Sequence, residues 1–342
     1  MSDFWVDIDN PPQAQYLSPI ARALRERGHS VLMTARNHQP TLDVLANRAE
    51  SAVPLGGSFG ASSTSKAIGT VARAARLRLL VSRRIGRPRA VVSTARSGVI
   101  AAWALRAPAF TVLDYEGVEL GVFRRSGTVL MHPSVVPAER FTERGFPSER
   151  LCSFPGLKED LAFSGLDVNA EEPAELPDPR NTSLPAVLVR PPSQTSHYRA
   201  DPSVQMLLLV LDRLAGRADI QTVFSPREIT QTEMLTSTTW VVPPVVLERP
   251  LPLVGLLRAV DWVVTGGGTM LREAAWFGVP AVTVFQGPMP TVDEWLGTQG
   301  AIRRVSDAAG VDKIDWGRPE RDVRLTRHPE ALETVVDAIE RG

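Results

Sequence analysis

A strand pattern that runs directly into three glycines and then into a helix pattern confines this chain to parallel α/β architectures. From Val260 to Val264 the residues are apolar apart from Asp261, as in a buried strand. Thr265-Gly266-Gly267-Gly268-Thr269 follows, and Met270 to Phe277 continues with helical spacing. Backbone amides at such a turn, together with the positive end of the helix dipole, form a site for an anion, most often a phosphate. Glycine allows the sharp turn and the close approach of backbone to ligand. Glu273 falls in the first or second turn of that helix, within reach of a ribose hydroxyl. A tight strand-to-helix connection that holds no ligand has the same pattern, so the residues alone leave both readings open.

The rest of the chain repeats the strand–helix alternation. In the first half, strands are expected at Phe4 to Ile8, Ser30 to Thr34, Ala52 to Leu55, Ala90 to Ser93, Ala109 to Leu113 and Thr128 to Met131. Helices are expected at Tyr16 to Arg27, Thr41 to Arg48, Gly98 to Leu105 and Pro137 to Arg144, with a basic helix across Lys66 to Arg84. The second half continues with strands at Ala186 to Val189, Gln221 to Phe224, Trp240 to Val242, Trp262 to Thr265 and Ala281 to Phe285. Its helices fall at Val204 to Ala215, Leu253 to Ala259 and Met270 to Phe277, and Pro329 to Arg341 closes the chain. Strands separated by helices imply βαβ units and doubly wound parallel sheets. Between Lys158 and Pro185 the pattern gives way to prolines and acids, which suits an exposed connection. The expected organisation is two Rossmann-like doubly wound domains, 1–157 and 186–342, joined by a linker over 158–185. They are expected to face each other across a cleft, with the last helix packing back on the first domain. Ligands bind such sheets beyond the carboxyl ends of the strands, so the cleft is the expected site.

A chain of 342 residues with 43% hydrophobic and 22% charged residues suits a globular protein of two α/β domains. The formal net charge of zero predicts no nucleic-acid partner. A single cysteine, Cys152, excludes an intramolecular disulfide framework and a cysteine-rich metal site. The N-terminus opens on the strand-like Phe4 to Ile8 without a leader pattern, and no apolar run reaches membrane-spanning length. A cytoplasmic location is expected. Charge is unevenly spread, however. Ser51 to Leu113 contains no acidic residue, while Lys66, Arg73, Arg76, Arg78, Arg83, Arg84, Arg87, Arg89, Arg96 and Arg106 are basic. A basic amphipathic helix of this kind either covers the sheet with solvated arginines or lies on an anionic surface, so the 66–89 segment is a candidate for peripheral contact with the inner membrane face.

Several strand ends carry polar groups suited to chemistry. Alternation points Asp7 and Asp9 to the same face of the first strand, which places Asp9, Asn10 and Gln13 at its carboxyl end; Pro12 suits a helix start. Asp114 and Glu116 follow Leu113, where two carboxyls can serve as acid and base across a substrate or merely cap a solvated turn. Ser93 to Gly98 offers hydroxyls, amides and Arg96 before a helix. In the second half, Arg190 and His197 follow a strand and could neutralise a diphosphate leaving group without a metal. No metal-ligand cluster, serine–histidine–acid order or Gly-Lys-Ser/Thr phosphate loop is present, and no cofactor is expected.

Taken together, Val6-Asp7-Ile8-Asp9-Asn10-Pro11-Pro12, Arg27 to Arg36, Asp114-x-Glu116, Pro155-Gly156-Leu157-Lys158-Glu159, Arg190-Pro191, Gly266 to Pro280 and Val292-Asp293-Glu294-Trp295-Leu296 resemble domain-of-unknown-function family 354 over nearly the whole chain. That family is similar in fold to GT-B glycosyltransferases, including the enzyme that adds N-acetylglucosamine to lipid II, and to UDP-N-acetylglucosamine 2-epimerases. The resemblance implies a nucleotide-sugar site, with Gly266, Gly267, Gly268 and Thr269 on the phosphates and Glu273 on the ribose. It sets Glu116 near an acidic position of the epimerases and Arg190 or His197 near a phosphate. The expected function is a metal-independent glycosyltransferase that uses a nucleoside-diphosphate sugar, with Asp9 or Glu116 as base, in cell-surface polysaccharide or glycolipid assembly. Its acceptor would be lipid-linked or a polysaccharide. The alternatives are a nucleotide-sugar 2-epimerase or hydrolase, with Asp114 and Glu116 as acid and base, and a non-catalytic nucleotide-sugar binding protein. Two departures from the resembled enzymes stand out: Asn10-Pro11-Pro12 replaces a glycine-rich turn, and Gln13 stands where relatives often carry a histidine.

Overall fold

The computed structural model describes residues 2–57, 63–167, 170–177, 183–192, 202–319 and 324–342. They divide into two compact units, Met1–Leu166 with Thr326–Gly342, and Asp167–Leu325. Each unit is an α/β layer structure around a parallel sheet, as the alternation of strand and helix patterns predicts.

The first unit is built on seven strands: β1 (Asp3–Ile8), β2 (Ser30–Ala35), β3 (Val53–Pro54), β4 (Ala90–Ser93), β5 (Ala109–Val112), β6 (Val129–Pro133) and β7 (Leu151–Phe154). Their order is β3-β2-β1-β4-β5-β6-β7, and every pairing is parallel. From Phe4 to Ile8 β1 is wholly buried, as a central parallel strand covered on both faces must be. Helix α1 (Pro11–Glu26) starts sharply because Asn10 caps it and prolines occupy its first positions, where their missing N–H groups cost nothing. Beyond it lie α2 (Gln39–Asn47), α3 (Ser63–Arg84), α4 (Arg96–Ala104), α5 (Gly121–Arg125), α6 (Glu139–Thr142) and α7 (Lys158–Ala162). Ala74, Leu77 and Val81 of α3 pack with Ala101 and Ala102 of α4 over Trp5 and Val91. Each large apolar side chain so buried contributes about 1.5–3 kcal/mol.

The second unit holds β8 (Ala186–Arg190), β9 (Gln221–Phe224), β10 (Val245–Val246), β11 (Trp262–Thr265), β12 (Ala281–Thr283) and β13 (Ile302–Arg304), in the order β10-β9-β8-β11-β12-β13. Its helices are α8 (Pro202–Ala215), α9 (Leu253–Arg258), α10 (Thr269–Trp276), α11 (Thr291–Thr298) and α12 (Ala308–Asp312). Helix α8 buries Val204, Leu207, Val210, Leu211 and Leu214, a stripe of helical period, against β8, β9 and β11 residues.

Some elements differ from the sequence expectation. The strand expected at Trp240 to Val242 is not formed; pairing with β9 occurs at Val245–Val246, beyond Pro243 and Pro244. A proline has no N–H for a ladder, which displaces the strand past the pair. Strands β7 and β13 and helices α5, α11 and α12 had no predicted counterpart, and the helix expected over Pro137 to Arg144 is only Glu139–Thr142. Lys158–Ala162, inside the expected 158–185 linker, forms α7 with every residue buried, in the first unit. The closing helix α13 (Glu330–Arg341) also belongs to that unit and packs on α1, α7 and β7 through Ala331, Val335, Val336 and Ile339. Arg27 pairs with Asp337 at 2.6 Å and with Glu340 at 2.5 Å to fasten it.

Candidate functional site

In a doubly wound sheet the strand order reverses at one point, and the helices on either side diverge there to leave a crevice at the carboxyl ends. The reversal lies between β1 and β4 in the first unit and between β8 and β11 in the second.

At the second unit's reversal, Thr265 pairs in register with Arg190 on β8 and with Thr283 on β12. The three glycines leave β11 at this level. Gly267 has φ 90° and Gly268 has φ 80° with ψ −151°, conformations that a residue with a Cβ adopts only under strain. Gly268 caps α10, so the first amides of that helix open onto the turn. The Thr265 hydroxyl is buried without a hydrogen-bond partner among the described residues.

Two arginines flank the turn. Arg190 is half-buried and donates from Nη1 to Ser225 Oγ at 3.2 Å. Arg227 donates from Nε to the Pro191 carbonyl at 3.0 Å. Neither has a carboxylate within ion-pairing distance among the described residues. Burial, then repulsion from Arg227, pushes the Arg190 guanidinium down to about 10, against the pull of Glu273. An anion at this point would relieve both penalties. Glu273 itself is buried in the second turn of α10. The adjacent Arg272 pairs with Asp293 of α11 at 2.6 Å with both side chains buried, which fixes the rotation of α10 about its axis. Asp293 lies in one of the sequence blocks noted above, but only its contact reveals this part. His197 lies outside the described residues.

The crevice of the first unit is chemically different. Asp7, expected on the same strand face as Asp9, is wholly buried and bidentate with Arg73 of α3, at 2.9 Å (Nη1–Oδ2) and 2.8 Å (Nη2–Oδ1). The Thr34 hydroxyl donates to Asp7 at 2.7 Å and accepts from Trp5 Nε1 at 2.9 Å, while Arg73 also donates to Ser97 Oγ at 2.6 Å. Gly98 is required beside this network, because a Cβ there would lie 2.3 Å from Ser93 Oγ and 2.6 Å from Asp7 Oδ2. Asp9, nearer the surface, pairs with Arg36 at 2.7 Å and approaches Arg73 at 3.6 Å. Burial lifts its carboxyl above the ordinary range; Arg36 and Arg73 pull the other way and Asp7 adds repulsion. Asn10 and Gln13 serve the start of α1: Asn10 Oδ1 accepts from Gln13 N at 3.0 Å, and Gln13 Oε1 accepts from Asp9 N at 2.8 Å.

Past β5, Asp114 pairs with Lys158 of α7 at 2.5 Å. The Lys158 ammonium stands 5.5 Å from the centre of the Tyr16 ring, and the Tyr16 hydroxyl donates to Thr94 Oγ1 at 2.9 Å. Burial pushes the Tyr16 phenol up to about 12. Glu116 is half-buried, and its backbone carbonyl accepts from Arg144. Lys158 and Tyr16 therefore join Asp114 in a polar cluster that sequence reasoning did not assemble. Lys158 belongs to the Pro155-Gly156-Leu157-Lys158-Glu159 run, but its burial in a short helix has no local sequence signal. Among the described residues, no group of three or more His, Cys, Asp or Glu side chains is placed to hold a metal ion.

A family model described as a protein of unknown function (DUF354) matches residues 2–316, and the chain belongs to that family. An uncharacterized protein of Methanocaldococcus jannaschii is 24% identical over 305 residues, 86% of this chain and 85% of the relative. Among solved structures, the M. jannaschii UDP-GlcNAc 2-epimerase in complex with UDP-GlcNAc and UDP aligns with a TM-score of 0.76 at 13% identity, over 99% of this chain and 100% of that one. The UDP-GlcNAc 2-epimerase of Neisseria meningitidis bound to UDP-GlcNAc gives 0.72 at 12% identity, over 99% and 100%. MurG of Acinetobacter baumannii gives 0.54 at 14% identity, over 100% of both chains. At these identities the likeness establishes a fold of the GT-B and epimerase kind.

Proposed function

We propose that this DUF354 protein binds a nucleoside-diphosphate sugar, UDP-linked in the simplest case, at the β8/β11 reversal and transfers the sugar to an acceptor hydroxyl. The observation that carries the reading is the conjunction of the glycine turn with Arg190 and Arg227, two cations without an acidic partner among the described residues. The amides of Gly267, Gly268 and Thr269 and the positive end of α10 would hold the phosphates, and Glu273 would accept from the ribose. Breaking the bond between the anomeric carbon and the diphosphate oxygen leaves the electron pair on the diphosphate. Arg190 would stabilise that growing charge in place of a metal, as fixed cations do most effectively away from water. The acceptor oxygen forms the new bond to the anomeric carbon, and its proton passes to Asp9, a carboxylate whose pKa burial raises above the ordinary range. Glu116 is the alternative base. The acceptor class is a lipid-linked or polysaccharide hydroxyl, and the site of action is cytoplasmic.

A second reading keeps the same donor site but ends in 2-epimerisation or hydrolysis, with Asp114 and Glu116 as acid and base. It is favoured by the higher TM-scores to the two 2-epimerases, 0.76 and 0.72 against 0.54 for MurG. Incubating the protein with UDP-sugars in the absence of acceptor separates the two. The transferase reading expects at most a slow release of UDP. Epimer or free sugar accumulating over many turnovers would establish the second reading instead. Glu273-dependent binding with no turnover across a donor and acceptor panel would leave a binding protein.

A further inference from the structure

Helix α3 has two unlike faces. Its inner face, Arg73, Ala74, Leu77 and Val81, is buried under the first unit's sheet and fixes the helix in place. Directly opposite, at helical spacing, runs a second apolar stripe of Ile68, Val71, Ala72, Ala75 and Leu79. It faces water: Ile68 is 66% exposed, Val71 60% and Leu79 51%. Single exposed apolar residues are ordinary, but a stripe of them along one helix is not. Trp103, at the end of the neighbouring α4, is 63% exposed.

Cations border this stripe on both sides, with Arg76 and Arg83 on one flank and Arg78 on the other. None of Arg76, Arg78, Arg83 and Arg84 makes an ion pair or side-chain hydrogen bond among the described residues. The chain from Ser51 to Leu113 has no acidic residue with which to balance them. Between Leu55 and the end of α3 lies an open groove of ≈ 370 Å³, lined by Leu55, Leu79 and Leu80 with Arg76, Arg83 and Arg84. Apolar ridge and arginine borders together match the two layers of a lipid surface, phosphate outside and hydrocarbon just beneath, and the exposed Trp103 is of a residue type enriched at such interfaces.

We propose that the outer face of α3, with the end of α4 beside it, seats the protein peripherally on an anionic bilayer surface. A second copy of the chain is the poorer occupant, because pairing like faces would bring the same unbalanced arginines together. No described helix is long and apolar enough to cross a membrane, so the contact is one of surface seating. The proposal holds whichever reaction the nucleotide site performs, since it rests on a different face and on different residues.

Vesicle flotation tests it with the full chain. The protein is mixed with vesicles of phosphatidylcholine alone, or of phosphatidylcholine with phosphatidylglycerol, and recovery is read across a salt series. Two variants accompany it, Ile68→Ser/Val71→Ser/Leu79→Ser and Arg76→Gln/Arg78→Gln/Arg83→Gln/Arg84→Gln, with circular dichroism and Tm to show that both remain folded. The expected result is recovery with the anionic vesicles only, falling as salt rises. Each variant should lose more than about tenfold in partitioning, since one basic residue at such a surface contributes about fivefold. Equal recovery with neutral and anionic vesicles, no recovery with either, or unchanged recovery of both variants would overturn the proposal. So would a dimer in sedimentation velocity that the serine variant abolishes while vesicles recover nothing.

Discussion

The two reversal points of this molecule are topologically alike and chemically opposite. In the first unit the crevice between β1 and β4 is closed by its own charges: Arg73 answers Asp7 bidentately, Ser97 and Thr34 complete the network, and Gly98 leaves no room for a Cβ. In the second, the crevice between β8 and β11 holds a glycine turn, a helix start and two arginines with no described carboxylate partner. The same fold rule marks both places. Internal charge balance tells their floors apart: the paired Asp7 and Arg73 of the first are scaffold, with Asp9 above them nearer the surface, and the unbalanced cations of the second are built for an anion.

Arg73→Met is the most severe way to break this contrast. It strands the Asp7 carboxylate in the core, and removing one partner of a buried pair costs about 3–5 kcal/mol. The midpoint of urea unfolding should drop accordingly, and Asp7→Leu combined with Arg73→Met should recover most of the loss. A single-variant cost near that of a surface substitution would mean that the network is not the closed unit described. Arg190→Gln should act in the opposite manner. Its removal takes away a cation held down to about 10, so Tm should be unchanged or higher. UDP affinity should fall by about 10- to 100-fold, the worth of a charged hydrogen bond of about 1.5–3 kcal/mol. Equal UDP affinity in variant and wild type would assign the anion elsewhere.

Gly268→Ala has a smaller expected effect on stability. A Cβ there meets nothing within 4 Å, so only the backbone conformation is penalised, by about 1–3 kcal/mol. An unperturbed Tm would show that the turn is free to relax. The smallest effect belongs to Asp9. Its folded pKa is raised above 3.8, so its contribution to stability is fully present below that value and is lost as pH rises through the folded pKa. Asp9→Asn removes this dependence, so the difference in Tm, variant minus wild type, should grow in the variant's favour from acid to neutral pH. A difference that shrinks over that range would reverse the sign assigned to Asp9.

The sequence discloses the second crevice more readily than the first because glycine and apolar runs are local signals. Gly266 to Gly268 announce a turn wherever the chain goes next, and β11 and α10 fall within a residue or two of their expected bounds. Arg73 gives no such signal. In a helix where every charged residue but Lys66 is arginine, nothing marks the one that turns inward to meet an aspartate 66 residues away. Lys158–Ala162 was similarly opaque, since a Lys-Glu-Asp run reads as solvated until the structure shows it buried. Edge strand β13 carries two exposed arginines, and β10 hides behind two prolines, so neither has the apolar run of a central strand. Pairings made across the fold decide such positions.

Calorimetric titration of the wild-type protein with UDP, UMP and uridine tests the central claim most directly. If the β8/β11 crevice is a diphosphate site, affinity should fall stepwise as phosphates are removed, by at least about tenfold, or about 1.4 kcal/mol, from UDP to uridine. Uridine binding as tightly as UDP, or the absence of any UDP binding, would contradict it.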